Sequence, residues 1–303
     1  MDTISDKLTK SVADFHGLKT GHFRGWRHVS RSEKLLPEIL DSAAFFLNSE
    51  ETTQTGRKLG SISVPGGGDI VLHCIRHERK LLGMLAPRSC RQTERAFAGA
   101  ASLAKAGLPV LPPMALLQRG GLFSPLECIL VLKREPGFLC LPDFIRKLTD
   151  SPDMKCRAIW RAMGGAMGRV HSKKAILGIA SPRQVWMREG DNGQFDVAFE
   201  VGEAFQVNSV LRYLREAEDI TGANFIFSHK IAPNDRLRFF TSYLQERQLS
   251  ETEERECLAL VSDLTRHKAA KEWKIYQSDI PKKTTYLNLI RALDRHSEQR
   301  SDG

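Results

Sequence analysis

The sequence predicts an α+β protein in which short strands occupy the first half of the chain and helices the second. Apolar runs at 61–64 and 70–75 are joined by the turn sequence Pro65-Gly66-Gly67-Gly68, and another apolar run follows at 128–132. From residue 155 onward, apolar residues recur mostly at helical spacing. With 303 residues, of which 41% are hydrophobic, the chain can bury a core as two domains or as one domain of two lobes.

In the first half, two helices and one turn follow from local signals. Pro37 at a first helical position predicts an amphipathic helix over 37–47. The glycine run between the first two strands predicts a hairpin turn; a phosphate-binding loop would need a strand-to-helix junction and a following Lys-Ser/Thr. A second helix is predicted over 91–106, ended by Gly107 and Pro109.

The helix predicted at 155–171 is unusual because it contains Gly164, Gly165 and Gly168. Each glycine costs a helix roughly 1 kcal/mol relative to alanine. We therefore expect this helix to pack closely against a neighbouring element.

Further along, the alternating apolar residues of 195–205 predict a strand. Two helices are predicted after residue 233. The second begins with Ser250-x-x-Glu253, which has the form of a capping box.

The formal net charge is +9, with 45 Lys and Arg against 36 Asp and Glu. The densest basic stretch runs from Arg266 to Lys283 and is interpreted either as a solvated helix face or as a contact for an anionic membrane surface. Nucleic-acid binding is a weaker hypothesis, since the four tryptophans are not interleaved with basic residues as in single-strand platforms.

Localisation and redox state are predicted from features that the sequence lacks. No run of 18 apolar residues and no apolar signal core at the start are present, which predicts a cytoplasmic protein, with peripheral association with the inner membrane as the open alternative. The six cysteines show no CxxC spacing and are expected to be reduced, buried and not metal-binding.

The most informative stretch is 167–187, MGRVHSKKAILGIASPRQVWM, which has the layout of a kinase catalytic loop. It resembles the lipopolysaccharide kinase (Kdo/heptose kinase) family, whose pattern is Leu-His, then His-Gly-Asp-Leu, then Ser-Pro-x-Asn-Ile-Leu. Val170-His171 matches the end of the preceding helix, Gly178 the loop glycine, and Ser181-Pro182-Arg183 the run before the metal ligand.

Two further strings carry the same resemblance, which spans roughly residues 60–271. RAFAGAASLAKAGLPVLPPMALLQ is similar to a family helix followed by a proline-rich strand, and DRLRFFTSYL to the closing helices. The resemblance implies a protein-kinase-like two-lobed fold with a small antiparallel-sheet lobe and a mainly helical lobe. It implies an N-terminal extension and first lobe at 1–134, a hinge at Arg134–Gly137 and a second lobe at 135–296. The last residues, 297–303, are expected to form a frayed tail.

The resemblance also places the catalytic positions on residues that lack the chemistry. The catalytic Asp position is Ile179, the metal-binding Asn position is Gln184, and a loop position that is often basic is Ser181. The metal-binding Asp position is Glu200, which Glu203 could assist. Glu200 and Gln184 are thus the candidate metal ligands, each displaced by one methylene from the family residue.

The nucleotide-gripping positions are altered as well. The strand lysine falls at His73, interpreted either as a weak phosphate contact or as a hydrogen-bonded strand histidine. Its helix partner is Glu94 or a position nearer Ala96; otherwise Glu94 is a first-turn acid favoured by the helix dipole.

Loss of one general base typically costs ~10²–10⁴ in rate, and here several groups of one catalytic unit are altered together. With these losses, the resemblance implies a pseudokinase, a partner or regulator in envelope lipopolysaccharide core biogenesis, to which no cofactor is assigned. The alternative is an active kinase of lipopolysaccharide core sugars that binds ATP and Mg²⁺ through an altered metal site.

Overall fold

The fold was analysed in a computed structural model, which describes residues 15–20, 23–28, 57–64, 68–77, 88–119, 126–147, 153–190, 193–224 and 233–276. These residues form two compact units. The first runs to Phe138 and also contains Phe199–Val207; the second contains Leu139–Ala198 and the chain from Asn208 onward. The helix predicted at 37–47 lies outside the described residues.

The first unit is built on a six-stranded antiparallel sheet. Its strands are β1 (Phe15–Thr20), β2 (Phe23–His28), β3 (Arg57–Val64), β4 (Gly68–His77), β5 (Pro113–Arg119) and β6 (Leu126–Arg134), in the order β1-β2-β5-β6-β4-β3. β3 and β4 pair from Arg57↔Ile75 to Val64↔Gly68, so the glycine-rich run joins the strands of a hairpin, as predicted. The sheet core includes Ile70, Val71, Leu116 and Ile129, which are buried.

Helix α1 (Arg88–Lys105) packs against β5 and β6 and supplies the apolar face that the sequence predicted. Ala96, Phe97, Ala100 and Leu103 are buried. The helix ends as expected at Gly107, whose φ of 71° is readily adopted by glycine, and the N–H of Leu108 donates to the carbonyl of Leu103.

The strand predicted over 195–205 is shorter than expected. β10 (Phe195–Phe199) ends where the Phe199 N–H donates to the Pro109 carbonyl and the Phe199 carbonyl accepts from Leu111. These two bonds use both the backbone N–H and the backbone carbonyl of Phe199. The next strand, β11, comprises only Gln206–Val207. The alternation of apolar residues beyond Phe199 therefore reflects burial in a turn-rich segment, not a continuous strand.

The second unit is mainly helical. Its elements are β7 (Leu139–Cys140), α2 (Leu141–Lys147), α3 (Asp153–Ser172), β8 (Ala175–Ile176), a 3₁₀ turn (Pro182–Gln184), β9 (Val185–Glu189), most of β10, α4 (Arg212–Asn224), α5 (Pro233–Arg247) and α6 (Glu251–Tyr276). β7, β9 and β10 form a small sheet in the order β10-β9-β7. The described helices include none long and apolar enough to cross a membrane.

The glycines of α3 explain its packing against α5. A Cβ at Gly164 would lie 2.0 Å from the Phe239 carbonyl oxygen, and one at Gly168 would lie 2.6 Å from that of Tyr243. The backbones of α3 and α5 therefore come close together at these two glycines, as the glycine content of α3 predicted. Gly165 is different, since its nearest neighbour would be 3.8 Å away.

The capping box at α6 is confirmed. The Ser250 N–H donates to Glu253 Oε2 at 2.8 Å, and the Glu253 N–H donates to Ser250 Oγ at 3.4 Å. The Tyr213 hydroxyl of α4 also donates to Glu253, which links α4 to α6. These bonds lower the pKa of Glu253 to about 2, with the Tyr213 bond as the largest cause.

Three cysteines have described side chains, namely Cys128, Cys140 and Cys257, and each is buried and not part of a disulfide. Burial is the main reason why the pKa of Cys140 rises to about 11 and that of Cys257 to about 12. Such thiols are poor nucleophiles at neutral pH because little thiolate is present. That all six cysteines are reduced in the cell stays a prediction.

Candidate functional site

The loop that resembles a kinase catalytic loop connects β8 to the 3₁₀ turn in the second unit. Gly178 has a φ of 72°, a left-handed conformation that glycine adopts without steric cost. Ile179, at the catalytic Asp position, is buried with 4% of its surface exposed. The side chain at this position therefore serves as packing and offers no oxygen to an acceptor hydroxyl.

Asp219 of α4 holds the backbone of this loop. Its Oδ2 accepts the N–H of Leu177 at 2.6 Å, and its Oδ1 accepts the N–H of Ile179 at 2.7 Å. Asp219 is itself buried, so these charge-assisted bonds act away from solvent screening. One carboxylate thus fixes the backbone on both sides of Gly178.

The contact between α4 and the loop is also tight in a steric sense. A Cβ built at Gly222 would lie 2.0 Å from the Ile179 carbonyl oxygen and 2.8 Å from its carbonyl carbon. Only a glycine allows α4 to approach the loop this closely. The loop backbone is therefore held by hydrogen bonds at Asp219 and by packing at Gly222.

The C-terminal half of the loop is held by its own polar side chains. Gln184 Oε1 accepts the N–H of Ala180 at 2.8 Å and that of Ser181 at 3.2 Å. Ser181 Oγ accepts the N–H of Arg183 at 3.3 Å, which completes a capping box on the 3₁₀ turn. Ser181, at the position that is often basic in the family, and Gln184, at the metal-ligand position, thus act as caps of the 3₁₀ turn.

A buried polar network extends from Asp219 toward α5. His171 Nε2 lies 3.1 Å from Asp219 Oδ2, and His171 Nδ1 lies 3.0 Å from the Tyr243 hydroxyl. That hydroxyl is 3.1 Å from Glu216 Oε2, and Glu216 also accepts from Arg247 at 3.1 Å.

Hydrogen-bond counting limits the proton positions in this network. A carboxylate only accepts, so His171 Nε2 donates to Asp219. The Tyr243 hydroxyl has one proton, which it donates to Glu216 Oε2, since that carboxylate also only accepts. Burial, followed by the charge of Glu216, raises the pKa of Tyr243 well above its usual value, so it stays a neutral phenol.

The predicted metal-binding carboxylates belong to the first unit. Glu200 is buried, and it follows Phe199, whose backbone is bonded to Pro109 and Leu111. Glu203 accepts a hydrogen bond from Thr93 Oγ1 of α1 at 3.3 Å. A Cβ at Gly99 of α1 would lie 2.3 Å from the Phe205 ring, so the segment 199–207 packs tightly on α1.

The nucleotide-gripping candidates have the following positions. His73 lies in β4, opposite Leu59 of β3 and Leu130 of β6, and its side chain is outside the described set. Glu94 accepts a hydrogen bond from Gln118 Nε2 of β5 at 3.1 Å. The interpretation of Glu94 as a first-turn acid is wrong, because α1 begins at Arg88 and places Glu94 well inside the helix.

The loop does not fit a hard cation. A magnesium ligand needs a free oxygen lone pair, and the single amide oxygen of Gln184 already accepts two N–H bonds. Ile179 adds no oxygen. Among the side chains that the structure describes, no three His, Cys, Asp or Glu residues are grouped as a metal site.

The residue that organises the loop, Asp219, was absent from the sequence-based candidates, as was the helix that carries it. α4 does have a sequence signal: Ala217, Ile220 and Ala223 recur every three residues and are all buried. Glu216 and Asp219 fall beside them on that face. Acids on the apolar face of a helix are a sign of buried hydrogen-bonded carboxylates.

Comparison with known proteins identifies the fold. No protein-family model and no curated protein matches the chain. A solved structure titled WaaP in complex with acyl carrier protein is similar at 16% identity and a TM-score of 0.50, covering 75% of this chain and 91% of that chain. The Neurospora crassa PAN3 pseudokinase, at 12% identity, covers 89% of this chain and 72% of that chain with a TM-score of only 0.36, which supports no argument.

The chain is therefore a kinase-fold protein, and the predicted α+β protein-kinase-like fold is confirmed. At 16% identity, the likeness establishes the shared fold alone.

Proposed function

We propose that this protein is a pseudokinase of the lipopolysaccharide-kinase type, which acts as a binding partner or regulator in envelope lipopolysaccharide core biogenesis. One observation carries the proposal: the catalytic loop keeps a buried framework, but its functional positions are filled by packing and capping side chains. Ile179 is buried, and Gln184 Oε1 accepts two backbone bonds.

The chemistry of phosphoryl transfer explains why these two positions decide the matter. A kinase loop needs a carboxylate to orient the acceptor hydroxyl and an amide oxygen to hold the second metal ion. An isoleucine has no acceptor atom. To bind a metal, Gln184 would have to give up its bonds to the N–H groups of Ala180 and Ser181, each contributing about 0.5–1.5 kcal/mol.

A protein partner fits this function. The solved WaaP structure contains acyl carrier protein, which supports a test of acyl carrier protein and of core-biosynthesis proteins as partners. The second proposed contact, with an anionic membrane surface, uses the basic stretch from Arg266 to Lys283. Nucleic acid is the least favoured partner.

The direct test is phosphoryl transfer from labelled ATP to purified core glycolipid, with Mg²⁺ or Mn²⁺. We expect no turnover by the natural chain. Ile179→Asp should also stay inactive, because it restores one group while Gln184 and His73 are unchanged. It should in addition lower stability, since the new carboxylate would enter a position with 4% exposure.

Ile179→Leu is the matched control for the effect on stability, because it conserves volume and costs less than about 1.5 kcal/mol. Turnover by Ile179→Asp at an ordinary kinase rate of about 1–100 per second would refute the proposal. Turnover by the natural chain that is lost in Glu200→Ala would instead establish the alternative, an active kinase with an altered metal site.

A further inference from the structure

The buried network of α3, α4 and α5 contains one contact that has no proton if His171 is neutral. Three contacts join its side chains in sequence: His171 Nε2 to Asp219 Oδ2 at 3.1 Å, His171 Nδ1 to the Tyr243 hydroxyl at 3.0 Å, and that hydroxyl to Glu216 Oε2 at 3.1 Å. Each contact is a hydrogen bond only if one proton lies between its two atoms. A neutral imidazole and a phenol supply two protons for these three contacts, whereas an imidazolium and a phenol supply three.

Glu216 does not carry the third proton. Both of its oxygens accept from Arg247 Nε, at 3.3 and 3.2 Å, and Oε1 also accepts from Arg247 Nη2 at 3.1 Å. The Nε of Arg212 lies a further 3.4 Å from Oε1. Two guanidinium groups beside one carboxyl group favour its ionised form.

Asp219 does not carry the proton either. Each of its oxygens accepts a backbone N–H, from Leu177 at 2.6 Å and from Ile179 at 2.7 Å. A proton between Asp219 and His171 belongs to the ring, because an ordinary imidazole, with a pKa of about 6.5, is a stronger base than an ordinary carboxylate, with a pKa of about 3.9.

Asp219 also needs a cation. Its side chain is 1% exposed and that of His171 is 0% exposed. Within the described part of the chain, no lysine or arginine contacts Asp219, and a buried carboxylate without a positive partner is strongly disfavoured. A protonated His171 supplies that positive partner.

We infer that His171 is a buried imidazolium ion, and that its second proton is required to hold the backbone of the loop. With both ring nitrogens protonated, Asp219 is paired with a cation while it accepts the N–H groups of Leu177 and Ile179. Loss of the proton leaves a lone pair of Nδ1 facing the Tyr243 oxygen and leaves Asp219 without a cation. The order of the loop is thus coupled to one proton, which goes beyond the proposed function and does not depend on it.

The other groups around His171 leave it as the one that responds near neutral pH. The titratable and charged groups in and around the network come from three helices of the second unit: Asp219, Glu216 and Arg212 of α4, Tyr243 and Arg247 of α5, and Cys257 of α6, which is buried near Glu216 and Tyr243. Burial raises the pKa of Tyr243 well above its usual value and that of Cys257 to about 12, so both stay neutral. The arginines stay charged at every relevant pH.

The test is NMR of the full chain labelled with ¹⁵N-histidine, with each ring assigned through its own backbone. The spectrum is recorded at pH 8, where an ordinary histidine with a pKa of about 6.5 is almost entirely neutral. We expect both ring nitrogens of His171 to have the chemical shifts of protonated nitrogens. A shift of Nδ1 typical of an unprotonated ring nitrogen would overturn the inference.

Matched tyrosine variants show whether the network holds the second proton. Tyr243→Phe keeps the ring and removes the oxygen that accepts from Nδ1, so His171 should lose this proton at pH 8 and keep the one that it donates to Asp219. Tyr213→Phe removes a hydroxyl that donates to Glu253 outside the network, and should leave His171 doubly protonated. An unchanged His171 in Tyr243→Phe, or an equal loss in Tyr213→Phe, would refute the counting of protons.

Hydrogen exchange measures the coupling to the loop. His171→Gln keeps an N–H donor for Asp219 but not the charge, so the amides of Leu177 and Ile179 should exchange about tenfold faster or more. His267→Gln, at an exposed histidine of α6, should leave them unchanged. Slow exchange in His171→Gln, or an equal increase in His267→Gln, would overturn the coupling.

Tyr243→Phe at pH 8 gives a second measurement of the same coupling, and it should also speed exchange at these two amides. It keeps the test open if His171→Gln does not fold, since exchange as slow as in the natural chain would contradict the coupling. None of these readouts involves phosphoryl transfer, so their failure is distinct from a failure of the proposed function.

Discussion

The loop 177–184 and the segment 199–207, to which the resemblance found in the sequence assigns the two metal-binding positions, differ in what the polar groups around them do. In the loop, Asp219 and Gln184 are both bonded to backbone N–H groups. The segment keeps two carboxylates, Glu200 and Glu203, and holds its position mainly by backbone bonds and by packing on α1. The comparison teaches that polar side chains hold the backbone of the loop, whereas the segment is held in place without using its carboxylates for that purpose.

The framework of the loop is most sensitive at its anchor. Asp219→Ala would remove the acceptors of Leu177, Ile179 and His171, all of them buried. We expect the free energy of unfolding to fall by about 3–5 kcal/mol, as when one partner of a buried charged cluster is removed. Chemical denaturation measures this loss.

Asp196→Ala is the control for Asp219→Ala, because Asp196 forms an exposed pair with Arg188. A surface pair of this kind contributes about 0–1 kcal/mol. If the two variants lost similar stability, Asp219 would not be the anchor of the loop.

A smaller effect is expected where α4 meets the loop. In Gly222→Ala, the new methyl group would lie 2.0 Å from the Ile179 carbonyl oxygen, so helix or loop must shift. We expect a loss of about 1–3 kcal/mol, as for other overpacked sites. The amide signals of 177–180 should move at the same time in an NMR spectrum.

Gly165→Ala, in α3, is the matched substitution without a clash, since the new methyl group would make ordinary van der Waals contacts, the nearest at 3.8 Å. It should be neutral or stabilise by up to about 1 kcal/mol through helix propensity. Equal losses in the two variants would mean that the close approach at Gly222 does not matter.

The segment 199–207 should respond least. Thr93→Val keeps the shape of the buried side chain and removes its bond to Glu203. The expected loss is about 0.5–1.5 kcal/mol, the net value of one hydrogen bond. Thr93→Ser, which keeps the hydroxyl, is the control, and a loss in Thr93→Val as large as that of Asp219→Ala would reverse the order of the two regions.

Local signals in the sequence predicted the parts of the fold that depend on near neighbours. The hairpin of β3 and β4, the end of α1 at Gly107 and the capping box at Ser250 follow from turn and cap chemistry within a few residues. The close approach of α3 and α5 followed from glycines that a free helix would disfavour.

The remaining features depend on contacts between distant residues. Asp219 is bonded to groups about 40 positions away, so its place on the apolar face of α4 indicates burial but not which groups it bonds. The strand predicted at 195–205 was too long because Phe199 bonds to Pro109 and Leu111. Gln184 was predicted to be a weak metal ligand from its place in the motif. Its role as a cap of the 3₁₀ turn depends on how the loop folds, which the motif does not show.

The central claim is that the loop no longer supports metal-assisted nucleotide binding, and thermal melting with millimolar ATP, with and without Mg²⁺ or Mn²⁺, tests it most directly. A ligand at 100 times its dissociation constant stabilises a fold by about 2.7 kcal/mol, which is easily detected. We predict a small shift or none with ATP, and no gain from either metal, because Gln184 Oε1 is already bonded to two N–H groups. A large shift that requires the metal and disappears in Glu200→Ala would contradict the account and identify an active metal site.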